Sequence, residues 1–172
     1  MFTCVTESPE ETSQLAEKVG QKVREGTVLC LEGDLGAGKT LFAKTLAKTL
    51  GVEGEVTSPT FNLMNVYKGI CPIWHFDLYR LDSEEELEDI GFFEYTDEPE
   101  GIVLVEWPDK FPSCLPDDYI EIKFTLGSSK NQRRISFTCV GEENQEFLKE
   151  LEDFVNPGNR DGDSGLVGGD SD

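Results

Sequence analysis

The sequence predicts an α/β fold of three layers built on a mixed sheet that includes antiparallel strands. Three observations carry this. Continuous apolar runs, Val28-Leu29-Cys30-Leu31 and Ile102-Val103-Leu104-Val105, suit parallel strands buried on both faces. Apolar residues at helical spacing lie between such runs, as with Leu15, Ala16, Val19 and Val23. Tyr119 to Leu126 and Arg134 to Val140 alternate or nearly so, which reads as an antiparallel pair.

Taken in order, Phe2 to Thr6 is a short strand. Ser8 caps a helix, with Pro9 at its first position and Glu11 three residues after the cap; this helix should run to about Glu25 and stop at Gly26. Thr27 to Glu32 is the first buried strand, and a glycine-rich stretch follows it. From Lys39 to Leu50 the period is helical again, with Phe42, Leu46 and Leu50 apolar and Gly51 as the stop. Thr57-Ser58-Pro59-Thr60 is a polar loop. Phe61 to Tyr67 and Ile70 to Asp77 read as strands of a hairpin turning at Lys68-Gly69. Ser83 to Glu86 forms a second capping box, opening a short acidic helix to Ile90. Ile102 to Val105 is a strand that ends at Glu106. Glu142 to Phe154 reads as a closing helix with Phe147, Leu148, Leu151 and Phe154 on its core side. Residues 156–172 are mostly Gly, Asp and Ser, too poor in apolar side chains to offset their ordering entropy, so they read as a disordered acidic tail after one domain at residues 1–155.

Charge limits the partners. Thirty-five acidic residues against fifteen basic give a formal net charge of −20. Nucleic-acid affinity comes largely from Lys and Arg displacing counterions, so direct, tight binding to DNA or RNA is disfavoured and a basic protein partner is easier to accommodate. The five Cys are odd in number and show no CxxC spacing, and there is one His. That pattern reads as free thiols in a reducing compartment, with little to assemble a zinc site. No basic segment leads into an apolar stretch near Met1 and no apolar run approaches the length of a membrane span, so the expected location is cytoplasmic.

The chemistry lies first in Gly33-Asp34-Leu35-Gly36-Ala37-Gly38-Lys39-Thr40, which matches the P-loop pattern GxxxxGK[ST] in full, between a buried strand and a helix. Glycines let successive N–H groups point inward at phosphate oxygens, and the following helix adds its positive end. Lys39 would reach the β- and γ-phosphates and the Thr40 hydroxyl would reach Mg²⁺. The guanine-selecting motif NKxD is absent, so ATP is the expected nucleotide. An acid at the end of another strand is needed for the magnesium shell. Glu106, after four aliphatic residues, and Asp77, after Ile73-Trp74-His75-Phe76, are the candidates. His75 reads as a hydrogen-bonded strand residue. Trp107 could cover the site or pack in the core, and Thr57 to Thr60 could sense the γ-phosphate. A small-molecule kinase would need an acceptor pocket and an arginine-bearing lid, for which the chain has little length.

The P-loop, then Ser58-Pro59-Thr60-Phe61, then His75-Phe76-Asp77-Leu78-Tyr79-Arg80-Leu81, then Glu106-Trp107-Pro108 together resemble the TsaE (YjeE) family. That family is the ATPase component of bacterial tRNA threonylcarbamoyladenosine synthesis. The resemblance covers roughly residues 5 to 155. It implies a small P-loop NTPase fold, a magnesium shell using Thr40 and Glu106, a catalytic or switch role for Asp77, and Trp107 near the nucleotide. It implies work with two protein partners, TsaB and TsaD, with tRNA engaged only through the complex, and ATP hydrolysis in support of TsaD, which performs the transfer to adenosine 37. Base contacts fall by this resemblance to Glu11, Thr12, Arg133 and Arg134. Leu41 stands where the family commonly has a second Thr; one hydroxyl suffices for the metal.

Overall fold

The computed structural model describes residues 1–34, 36–54 and 64–156. Leu35, the Thr57 to Thr60 loop, the start of the strand expected from Phe61, and the tail from residue 157 lie outside the described residues. The described chain forms a seven-stranded sheet of β1 (Phe2–Thr6), β2 (Val28–Gly33), β3 (Met64–Lys68), β4 (Pro72–Asp77), β5 (Ile102–Glu106), β6 (Tyr119–Leu126) and β7 (Arg133–Val140). Its order is β1-β7-β6-β2-β5-β4-β3. The four central strands, β6, β2, β5 and β4, run parallel, and β1, β7 and β3 add antiparallel edges. The expected mixed sheet is therefore present, with the aliphatic runs of β2 and β5 at its centre.

Alternation along those strands builds two cores. Leu29, Leu31, Ile102 and Leu104 face one side, where α1 (Pro9–Lys22), α2 (Lys39–Thr49) and α5 (Gln145–Val155) pack. Val28, Cys30, Val103 and Val105 face the other, covered by α3 (Glu84–Asp89), α4 (Phe92–Thr96) and the segment around Leu78 and Leu81. The result is three layers, helices on both faces of a mostly parallel sheet. No described helix is long and apolar enough to cross a membrane. All five Cys are free, with Cys30 and Cys71 buried.

Several boundaries differ from the sequence reading, each for a local reason. α1 ends at Lys22 rather than Glu25, because Val23 turns extended (φ −64°, ψ 145°) and packs toward the core. β4 begins at Pro72 rather than Ile70, since the Ile70 N–H donates to the Leu50 carbonyl at the end of α2 (2.7 Å) and cannot join the ladder. α5 starts at Gln145 rather than Glu142, because the chain first turns through Gly141 (φ +86°), where Asp118 Oδ1 accepts the Glu143 N–H (3.0 Å). α4 was not foreseen; Gly91 in the left-handed region starts it, and Phe92 is driven into the second core, edge-on to Phe76. Two 3-10 turns, Pro108–Lys110 and Pro112–Cys114, likewise have no regular period to read.

Candidate functional site

The glycine-rich segment turns at the C-terminal ends of the central parallel strands, where open α/β sheets take their ligands. Gly33 closes β2 with φ +152°, and a Cβ there would lie 2.6 Å from the Phe124 carbonyl oxygen on β6. Gly38 precedes α2 with φ +106°, and no side chain caps the helix. The first N–H groups of a helix lack intrahelical acceptors, so this end of α2 suits an anion.

Lys39 is the first residue of α2 and only 5% exposed. Its ammonium donates to the Gly33 carbonyl and lies 3.9 Å from the centre of the Trp107 ring, a cation–π contact. Burial lowers its pKa, against the opposing pull of Glu106, Asp77, Asp109 and Asp34. Trp107 itself has φ +60°, a conformation that strains a bulky residue and that marks functional sites. Its other neighbour is Tyr79, with ring centres 4.8 Å apart, and Lys110 Nζ ties the Tyr79 carbonyl at 2.6 Å.

The two candidate acids end adjacent parallel strands, and Asp77 of β4 is the register partner of Glu106 of β5. Asp77 Oδ1 accepts the Tyr79 N–H at 3.0 Å. Burial raises the Asp77 pKa and Glu106 adds to this, while the Tyr79 N–H, His75 and Lys39 pull it down. Glu106 is buried and its Oε2 lies 2.6 Å from His75 Nε2. A cleft of about 350 Å³ brings these groups together. Gly36, Gly38, Lys39, Thr40 and Leu41 form one wall; Asp77, Glu106 and Trp107 form the other.

These residues fit a magnesium-bound triphosphate. The left-handed glycines and the uncapped helix end make a phosphate cradle, and the buried ammonium is poised beside it. A hydroxyl and two carboxylates offer hard oxygen donors on the same cleft. Among the described residues no group of three His, Cys, Asp or Glu could hold a metal alone. Mg²⁺ needs only one or two protein oxygens and completes its shell from phosphate and water.

Comparison with known proteins decides the family. The family model described as "Threonylcarbamoyl adenosine biosynthesis protein TsaE" matches residues 6–135. The chain is 40% identical over 147 residues to the Bacillus subtilis tRNA threonylcarbamoyladenosine biosynthesis protein TsaE, covering 85% of this chain and 90% of that one. It is 42% identical over 136 residues to the Aquifex aeolicus protein of the same name, covering 76% and 92%. The crystal structure of Bacillus subtilis YdiB superposes with a TM-score of 0.73 at 31% identity, covering 88% of this chain and 93% of that one. The chain belongs to the TsaE family.

Its fold is thus the P-loop NTPase fold, as the sequence implied. Around the TsaE cleft the structure sorts the remaining sequence-derived residues. Asp34 and Ala37 line an adjoining hollow of about 230 Å³ with Gly33 and Trp107. Arg133, at the start of β7, donates from Nη2 to the Gly36 carbonyl at 3.2 Å and so braces the loop from outside the cleft. Thr12 is buried, its hydroxyl 2.8 Å from that of Thr6, and its methyl lies 4.0 Å from where a Cβ on Gly38 would sit. Glu11 caps its own helix by accepting the Glu7 N–H at 2.8 Å, and it does not line the cleft. The pairing of His75 with Glu106 and the stack of Lys110, Tyr79, Trp107 and Lys39 were missed. Period-two alternation on β4 could have placed His75 on the face of Asp77, but nothing local points it at Glu106. A larger cleft, about 960 Å³, lies at the opposite ends of the strands beside Asp97, Glu98, Asp117 and Asp118. Those carboxylates repel a triphosphate, so the smaller cleft suits one better.

Proposed function

We propose that this TsaE-family chain is a Mg²⁺-dependent ATPase that serves tRNA threonylcarbamoyladenosine formation together with TsaB and TsaD. The observation that carries the reading is the convergence of Lys39, Thr40, Asp77 and Glu106 on one cleft under the P-loop. Backbone N–H groups from Gly33 to Thr40 hold the β-phosphate, and Lys39 exchanges the Gly33 carbonyl and the Trp107 ring for β- and γ-phosphate oxygens. Thr40 and Glu106 would hold Mg²⁺, whose charge would offset that of the phosphates, and Glu106 is already held by His75. Asp77, whose burial raises its basicity, orients the attacking water and accepts its proton. Positioning and electrostatics supply most of the rate. Among the described residues no arginine lines the cleft, so turnover is slow in isolation and rises when the partners dock. The net charge of −20 fits an ATPase that leaves tRNA to its partners.

The test measures phosphate release by the protein alone and with TsaB and TsaD, with and without tRNA, beside calorimetric titration with Mg·ATP. Lys39→Ala abolishes hydrolysis; the loss of one charge-assisted hydrogen bond, about 1.5–3 kcal/mol, weakens binding about ten- to hundredfold. Asp77→Ala lowers turnover more than binding. No heat with Mg·ATP, or an Asp77→Ala protein that turns over at the parental rate with partners present, refutes the assignment.

A further inference from the structure

His75 and Glu106 form a polar pair inside the sheet, with side chains 1% and 4% exposed and Nε2 2.6 Å from Oε2. His75 lies two residues before Asp77 on β4, so both project from one face, and Glu106 is the register partner of Asp77 on β5. The Glu106 side chain therefore reaches back past Asp77 to the imidazole while still lining the cleft. An ionised carboxylate only accepts hydrogen bonds, so Nε2 is the donor and carries the proton. Nδ1 is then buried with no partner among the described residues.

That orphaned nitrogen is a cost that the rest of the side chain must offset. An aliphatic side chain, such as the Ile73 that precedes it on the same face, would fill this space without burying an unsatisfied atom. Packing thus disfavours histidine here, and the bond to Glu106 is the compensation. Lys39 is close enough for the Glu106 charge to act on its ammonium. The bond from His75 opposes the pull of that ammonium on the carboxylate. Hydrogen bonds behind a ligating group fix its orientation.

We propose that His75 is a positioning residue that fixes the Glu106 carboxylate for the nucleotide-bound cation. The proposal rests on the assignment of Glu106 to the Mg²⁺ shell. Mn²⁺ serves as the probe, its affinity read by electron paramagnetic resonance in the presence of ADP on the full chain. His75→Leu lowers Mn²⁺ affinity by about tenfold or more. His75→Gln, whose amide nitrogen reaches the Nε2 position, recovers most of it; His75→Asn, which reaches only the Nδ1 position, does not. Metal-free ADP affinity stays within about twofold, and His75→Leu adds nothing further in a Glu106→Gln background, because His75 acts only through Glu106. Parental Mn²⁺ affinity in His75→Leu, while Glu106→Gln is weakened, overturns the role of His75. Unchanged affinity in Glu106→Gln overturns the assignment of Glu106 itself. Should the Leu variant fail to fold, Gln and Asn decide: retention in Gln with loss in Asn supports the proposal, and equal loss in both overturns it.

Discussion

Replacing Gly33 by alanine tests how the phosphate loop is seated. The new Cβ would stand 2.6 Å from the Phe124 carbonyl oxygen and 3.1 Å from the Phe124 Cβ. Reaching ordinary contact at 3.4 Å means opening this gap by roughly 0.8 Å. Gly33 and Phe124 are register partners in the β2–β6 ladder, so neither strand can yield freely. Overpacking of this kind costs about 1–3 kcal/mol. The φ of +152° adds backbone strain of about 1–3 kcal/mol for a residue with a Cβ, and the stiffer unfolded chain returns about 0.4–1 kcal/mol. The net is about 1–5.5 kcal/mol, which at about 2–4 °C per kcal/mol for a chain of this size lowers Tm by roughly 2–22 °C. Gly36→Ala is the control. It too has a left-handed φ, +81°, but nothing lies within 4 Å of its Cβ, so it bears the backbone cost of about 1–2 kcal/mol alone. Thermal unfolding by circular dichroism separates the two, and titration with Mg·ATP shows whether the displaced loop also loses its ligand. Equal melting temperatures for the two alanine variants would refute the argument that contact with β6 sets the position of the loop.

Further outcomes follow from the same structure. Phe42→Ala empties a fully buried site edge-on to Phe124 and costs about 3–5 kcal/mol, read as a loss of Tm with the fold retained. Glu32, at the end of β2, has its pKa pushed up to about 7 by burial, by its hydrogen bond with Glu121, and by the charges of Glu121 and Asp109. A raised carboxyl pKa contributes stability that is fully present below about 4.5 and is lost as pH rises through about 7, so Glu32→Gln flattens the decline of Tm across that window. A Glu32→Gln protein whose Tm falls with pH as steeply as the parent's contradicts this. Arg133→Ala removes an exposed brace on the Gly36 carbonyl worth about 1 kcal/mol, so nucleotide affinity by calorimetry falls no more than about tenfold while hydrolysis persists.

The sheet's central strands, the longer helices that flank them, the phosphate loop and the acids at the ends of β4 and β5 are legible in the order of the amino acids. Each is written in a local pattern: an aliphatic run, a helical period, a capping box, or glycines at set spacing before Lys39. Which side chains meet follows instead from how the elements assemble. His75 and Glu106 are 31 residues apart, and Arg133 and Gly36 are 97 apart. The short α4 and the 3-10 turn that carries Trp107 over Lys39 obey no period at all. Local patterns act over a few residues of chain, whereas these contacts depend on strand register and on the side chain that each buried position leaves room for.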